Sequence, residues 1–215
     1  MQFHPKLQRR ISFAILFALS LAPAATAGPA SSASAKSGSA LARVTIDNFA
    51  RVDDNYYRGA QPDGSDYADL AAVGIKMLVN LTSDDAQANE EAMAAAAGMK
   101  YVQLPMTTRV APTPERVAEF LKIVLDPANQ PVYVHCVGGR HRTGVMSAIY
   151  RMTHDGWTGE QAFKEMKQYK YGADFLHPEF KTFVLGFMND AAPCRRPAHG
   201  QARGDPELTY GCGPL

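Results

Sequence analysis

The chain has 215 residues, 46% of them hydrophobic, with 22 lysines and arginines against 21 aspartates and glutamates, a net charge of +1. That length and apolar content suffice for one globular domain with a buried core, plus appendages. So even a balance of charge carries neither the basic excess of a nucleic-acid binder nor a general membrane-surface character.

Lys6, Arg9 and Arg10 precede an apolar run from Ile11 to Leu21, and Ala25-Thr26-Ala27 is a small-x-small cleavage signal. Residues 1–27 are therefore expected to be a signal peptide, and the protein to be exported, periplasmic or secreted. The run is shorter than the ~20 apolar residues that a membrane span needs, so no stable membrane insertion is expected after cleavage. Residues 28–43, nearly all Gly, Ala and Ser, cannot bury apolar surface and read as a flexible linker. The folded domain is expected over residues 44–190, and an irregular tail over 191–215. Export favours disulfides, and the odd count of three cysteines leaves one thiol over. Cys194 and Cys212 share the tail and are expected to pair, leaving Cys136 free.

Within the domain, residues 55–62 read as a strand end and turn, followed by a short helix over Asp66 to Val73. Lys76 to Leu81 is a buried strand, the alanine-rich segment from Asp85 to Ala97 a helix closed by Gly98, and Lys100 to Met106 a further strand. Thr113-Pro114-Glu115 supplies an N-cap, a proline at the first helical position and an acid in the first turn. Val117, Phe120, Leu121 and Val124 continue that helix at helical spacing. Pro131 to Val134 is a short central strand. Beyond it Val145, Ile149 and Met152 mark one helix face, Thr158 with Gln161 a capping box, and Phe180, Phe183, Val184 and Phe187 the buried stripe of a last helix opened by Pro178. Strands alternating with helices predict an α/β fold, a central, mostly parallel sheet with helices on both faces and a helical C-terminal half.

The central strand runs into V-H-C-V-G-G-R-H-R-T-G, Val134 to Gly144. A strand, a glycine turn and a helix opening near Arg142 make successive backbone amides converge at the helix N-terminus, which favours bound negative charge. Cys136 at the base of that turn is the candidate nucleophile. Arg142 can grip two phosphate oxygens in fork geometry. The Thr143 hydroxyl can hydrogen-bond the sulfur when it becomes a leaving group, and His135 reads as orienting the loop through backbone bonds. Cys136, Arg142 and Thr143 are thus the candidate catalytic residues, and Val137, Gly138, Gly139, Arg140, His141 and Arg142 the candidate phosphate binders. A buried structural thiol would want an apolar neighbourhood instead, and a metal site built from His135, Cys136 and His141 lacks a fourth ligand.

His135, Cys136, Arg142, Thr143 and Gly144 match the His-Cys-x5-Arg-Ser/Thr-Gly signature, and the chain resembles the cysteine-dependent protein tyrosine phosphatase superfamily. Tyr57 to Pro62, the Asn80-Leu81 strand end and Pro112 to Glu115 narrow the resemblance to the atypical dual-specificity phosphatases and their bacterial relatives. The resemblance implies a dual-specificity phosphatase-like fold, no metal or other cofactor, and a phosphorylated protein, inositol phosphate or lipid as partner. A rhodanese-like sulfurtransferase also cradles an anion beside a cysteine, but its loop is usually shorter and lacks the Thr-Gly continuation. The family's general acid, an aspartate some thirty residues before the cysteine, has no counterpart in residues 104–112, where Thr108 stands in its place. That gap motivates an alternative, a pseudophosphatase that binds phosphate without turnover. Asp84, Asp85, Glu115 and Asp174 are the carboxylates that could substitute, although each reads first as a cap or surface charge. Arg109 could join the same patch, Arg58 reads either as part of this edge or as a structural hydrogen-bonder in its turn, and His177 is expected as a helix-entry residue.

Overall fold

The computed structural model describes residues 38–83 and 86–190. Five short strands form one sheet: β1 (Ala50–Arg51), β2 (Tyr56–Gly59), β3 (Met77–Asn80), β4 (Lys100–Gln103) and β5 (Val132–His135), in the order β1-β2-β5-β3-β4. Only β1 is antiparallel to its neighbour. β3 (MLVN) and β5 (VYVH) are buried throughout, as apolar runs covered on both faces should be. β5 lies at the centre, so its end opens into the middle of the sheet's C-terminal edge.

Alternation along the strands divides the core in two. Val132 and Val134 point to one face, packed with α3 (Pro114–Val124), α4 (Arg142–His154), α5 (Gly159–Gln168) and α6 (Pro178–Asp190). Tyr133 points to the other face, against α1 (Asp66–Val73) and α2 (Glu90–Ala96). The fold is α/β with a mostly parallel sheet and helices on both faces, as its periodicity predicts.

Boundaries shift at several places. The alanine-rich helix begins at Glu90, and β4 stops at Gln103, where Leu104 and Met106 turn into the core. Residues 38–41 form a helical turn with Ala40 only 2% exposed, so packed structure starts before Val44, inside the expected linker. The cap signals hold: Thr113 accepts from the Arg116 amide at 3.3 Å, and Thr158 and Gln161 form the capping box. No helix among the described residues is long and apolar enough to cross a membrane. The expected signal peptide, the tail and the Cys194–Cys212 pair lie outside the described residues.

Candidate active site

Residues 136–141 connect the end of β5 to the first turn of α4, which starts at Arg142 as its sequence implies. The direction of the loop's amides is set from behind. The carbonyl of Val137 accepts from the Gln61 amide (3.2 Å), that of Gly138 from Asn48 Nδ2 (2.8 Å), and that of Gly139 from Arg58 Nη2 (2.6 Å). Three carbonyls drawn outward turn the intervening N–H groups inward, toward the α4 N-terminus, and make the loop an anion cradle. Gly139 permits this at φ +62°: a Cβ there would overlap the Gly59 carbonyl carbon and lie 2.6 Å from the Ala60 nitrogen.

Cys136 sits at the base, 3% exposed. Arg142 is 4% exposed and its Nη1 donates to the Met106 carbonyl at 3.2 Å, tying the cradle to the loop after β4. Thr143 is buried, and its hydroxyl has no hydrogen-bond partner among the described residues. Arg58 is fully buried, with its guanidinium 4.1 Å above the Tyr169 ring. Burial lowers its pKa, and neighbouring groups that include Cys136 oppose the shift; an arginine nonetheless stays charged. Arg58 thus interacts electrostatically with Cys136, and Arg142 opens the helix that follows the cysteine's loop.

His135 points the other way. As the next alternate residue after Tyr133 it lies on the α2 face, stacked on that ring, with Nε2 2.9 Å from Glu90 Oε1 but off the line of a hydrogen bond. Its anchor is therefore a buried carboxylate rather than the backbone bonds its position suggests. Glu90 is itself completely buried and accepts from Gln61 Nε2 (2.5 Å), Asn80 Nδ2 and the Tyr101 hydroxyl (3.3 Å). Asn80 Oδ1 then fixes the Thr82 amide and hydroxyl. This network joins the ends of β3 and β5 beneath the cradle, and Gln61 belongs to both.

Of the expected phosphate binders, Val137, Gly138, Gly139 and Arg142 line the cradle through backbone or guanidinium, but two side chains turn elsewhere. Arg140 Nη2 lies 3.6 Å from Asp47, which also pairs with Lys170. The His141 ring donates from Nε2 to the Tyr171 carbonyl (3.0 Å) and meets the His177 ring at 3.9 Å between centroids. His177 is more than a helix-entry residue, because its Nδ1 donates to the carbonyl of Thr108 at 2.9 Å. Of the carboxylates, Glu115 is fully exposed and held below its usual range by its own backbone amide and Thr113. Asp174 is bound by Lys167 and Lys181, which also hold it low. Both are ionised bases near neutrality. Asp84 and Asp85 lie outside the described residues.

Residues 42–181 match the family described as DSP-PTPase phosphatase fused to NAD+ kinase. The chain belongs to this family. It is similar to the dual specificity protein phosphatase TpbA of Pseudomonas aeruginosa, 28% identical over 139 residues that cover 65% of this chain and 62% of that protein. The inositol diphosphatase DSP1 of Oryza sativa is 33% identical over 127 residues, 57% of this chain and 56% of its own length. The chain thus spans about three fifths of each of these relatives. The crystal structure of P. aeruginosa TpbA superimposes with a TM-score of 0.56 at 26% identity, covering 65% of this chain and 84% of that one. The catalytic domain of the Saccharomyces cerevisiae PP-IP phosphatase Siw14, at 22% identity and TM-score 0.56, shares the fold over 67% of this chain and 94% of its own.

Asn48, Gln61, Glu90, Tyr169 and His177 were not legible as site residues. Glu90 opens the helix EEAMAAA beside Glu91, which is exposed, so an acid in the first turn did not single it out.

Proposed function

We propose that the chain is an exported phosphatase that hydrolyses phosphate monoesters of the phosphotyrosine, aryl or inositol-phosphate type through a cysteinyl-phosphate intermediate. The observation that carries the reading is the cradle: outward-drawn carbonyls at residues 137–139, a buried cysteine beneath the inward amides, and Arg142 across from them. Cys136 Sγ attacks phosphorus while the amides and Arg142 take the charge that develops on the equatorial oxygens. Thr143 then donates to the sulfur as water displaces it. The names of the relatives, a dual specificity protein phosphatase and an inositol diphosphatase, support both substrate types.

The test is hydrolysis of p-nitrophenyl phosphate in EDTA. Wild type turns over and Cys136→Ser does not; activity that survives the substitution, or that needs added metal, removes the mechanism. Thr108 on the acid loop favours a second reading, a phosphate-binding module without turnover. Rapid quenching separates the two: a phosphoenzyme on Cys136 belongs to the enzyme, and tight phosphate binding with no phosphoenzyme belongs to the module. Export is tested by the presence of mature protein, beginning after Ala27, outside the cytoplasm.

A further inference from the structure

Three segments meet around His141, the last residue before α4: the cradle loop that carries it, the loop after β4 through Thr108, and the stretch between α5 and α6 through Tyr171 and His177. A carbonyl can only accept, so the two bonds to carbonyls fix both tautomers. Nε2–H of His141 is committed to Tyr171, and Nδ1–H of His177 is committed to Thr108. The remaining nitrogens, Nδ1 of His141 and Nε2 of His177, bond to no described residue. With rings 3.9 Å apart, the pair has room for one added proton, since a second would set two cations in contact beside Arg140 and Arg142. The ring of His177 is steadied by Phe180 at 5.8 Å and the Tyr171 hydroxyl holds its carbonyl at 2.6 Å. The imidazole thus reaches the acid loop at Thr108, the position where the family pattern calls for an aspartate.

We propose that the His141–His177 pair carries the proton passed to the leaving oxygen, through Nε2 of His177, in place of a carboxylic acid on the acid loop. The inference rests on the phosphatase reading above. In the first step the S–P bond forms as the P–O bond breaks; the electron pair of that bond goes to the leaving oxygen, which takes the proton from Nε2. In the second step water attacks phosphorus and gives its proton to the neutral Nε2, while the S–P pair returns to sulfur. The histidine pair ends the cycle protonated, as it began.

The groups facing the pair pull in both directions, and most of them work against the proton on His141. Burial lowers the pKa of His141, followed by the neighbouring His177, while the Tyr171 carbonyl raises it and Arg140 and Arg142 lower it again. Glu179 Oε1 lies 3.5 Å from Nδ1 of His177. Asp174, on the same stretch, is taken up by Lys167 and Lys181. A bound phosphate dianion adds negative charge, which strengthens the hold on the proton until the leaving oxygen claims it.

The test uses a series of aryl phosphates of graded phenol acidity, with His177→Asn as the key variant. Asparagine Nδ2 stands where His177 Nδ1 does and keeps the bond to the Thr108 carbonyl, but it holds no titrating proton. Wild type should show kcat/KM nearly independent of the leaving group, falling as pH rises through the deprotonation of the pair. In His177→Asn the alkaline fall should vanish, and the least acidic phenols should lose about 100- to 10,000-fold, the loss shrinking steadily as the phenol becomes more acidic. An unchanged slope and alkaline limb in His177→Asn, or their loss in Asp84→Asn or Asp85→Asn instead, overturns the proposal while leaving the phosphatase intact. A steep slope already present in wild type also overturns it. No hydrolysis of any ester by wild type overturns the phosphatase reading and this inference together.

Discussion

The cradle and the acid loop face each other across the site but are built differently. Every carbonyl from Val137 to Gly139 is tied to a partner from another part of the chain, and two of the ties come from β2 and its turn. The loop from Leu104 to Pro112 is anchored at its start, where Leu104 and Met106 donate their amides to Asn80 and Leu81 and Arg142 reaches Met106. Past Met106 the loop takes a bond from His177 at the Thr108 carbonyl, and Pro112 is buried at its far end. The cradle's three carbonyls are each held by a hydrogen bond from elsewhere in the chain, whereas the loop past Met106 takes a side-chain bond from His177. Rigid preorganisation is what electrostatic stabilisation requires, and a proton donor tolerates adjustment.

That contrast breaks most sharply at Gly139. Gly139→Ala places a Cβ into the Gly59 backbone at a positive φ, so neither side can yield. Stability should fall by about 1–3 kcal/mol in urea unfolding, the usual toll of overpacking. Because the amides move with the clash, kcat/KM should fall by about 100-fold. The corresponding change on the other loop, Thr108→Ala, keeps the carbonyl that His177 uses and should leave stability within about 0.5 kcal/mol. Equal losses at the two positions would refute the distinction.

Arg58→Lys probes the cradle from behind with charge retained. Lysine lacks the planar fork that reaches the Gly139 carbonyl while lying over Tyr169. Losing a charged, buried hydrogen bond should cost about 1.5–3 kcal/mol. The freed carbonyl loosens one amide rather than displacing the loop, so kcat/KM should fall by only about 10-fold, short of the ~100-fold for a misplaced reacting group. A variant with native stability and activity would mean that Asn48 and Gln61 alone hold the loop.

The same contrast explains how far the sequence could be read. β5, the glycine turn and the start of α4 obey local rules, so Cys136, Arg142 and Thr143 fall where their spacing puts them. The supports behind them do not. Asn48 and Glu90 reach the site from segments separated in sequence from Cys136, and no local periodicity links them to it; Arg58, within the turn motif at residues 57–62, is the exception. His177 precedes a helix-starting proline, which made a local role sufficient; its partners Thr108 and His141 come from two other segments. Arg140 is the converse case. Its place in the motif suggested phosphate, but Asp47, contributed by a segment far upstream, claims its side chain.

The smallest effect sharpens the comparison at the far end of the acid loop, where Thr113 closes it and opens α3. The threonine side chain accepts from the Arg116 amide at 3.3 Å, and Pro114 presets the first helical turn. Thr113→Ala should cost about 1 kcal/mol, read as a fall in Tm of about 2–4 °C for a domain of this size. Since α3 is held independently by Val117, Phe120 and Val124 in the core, fraying its first turn should not reach Thr108. kcat/KM should therefore stay within about twofold of wild type. A large loss of activity there, with the modest loss of stability, would show that the acid loop depends on its helix end as well as on His177.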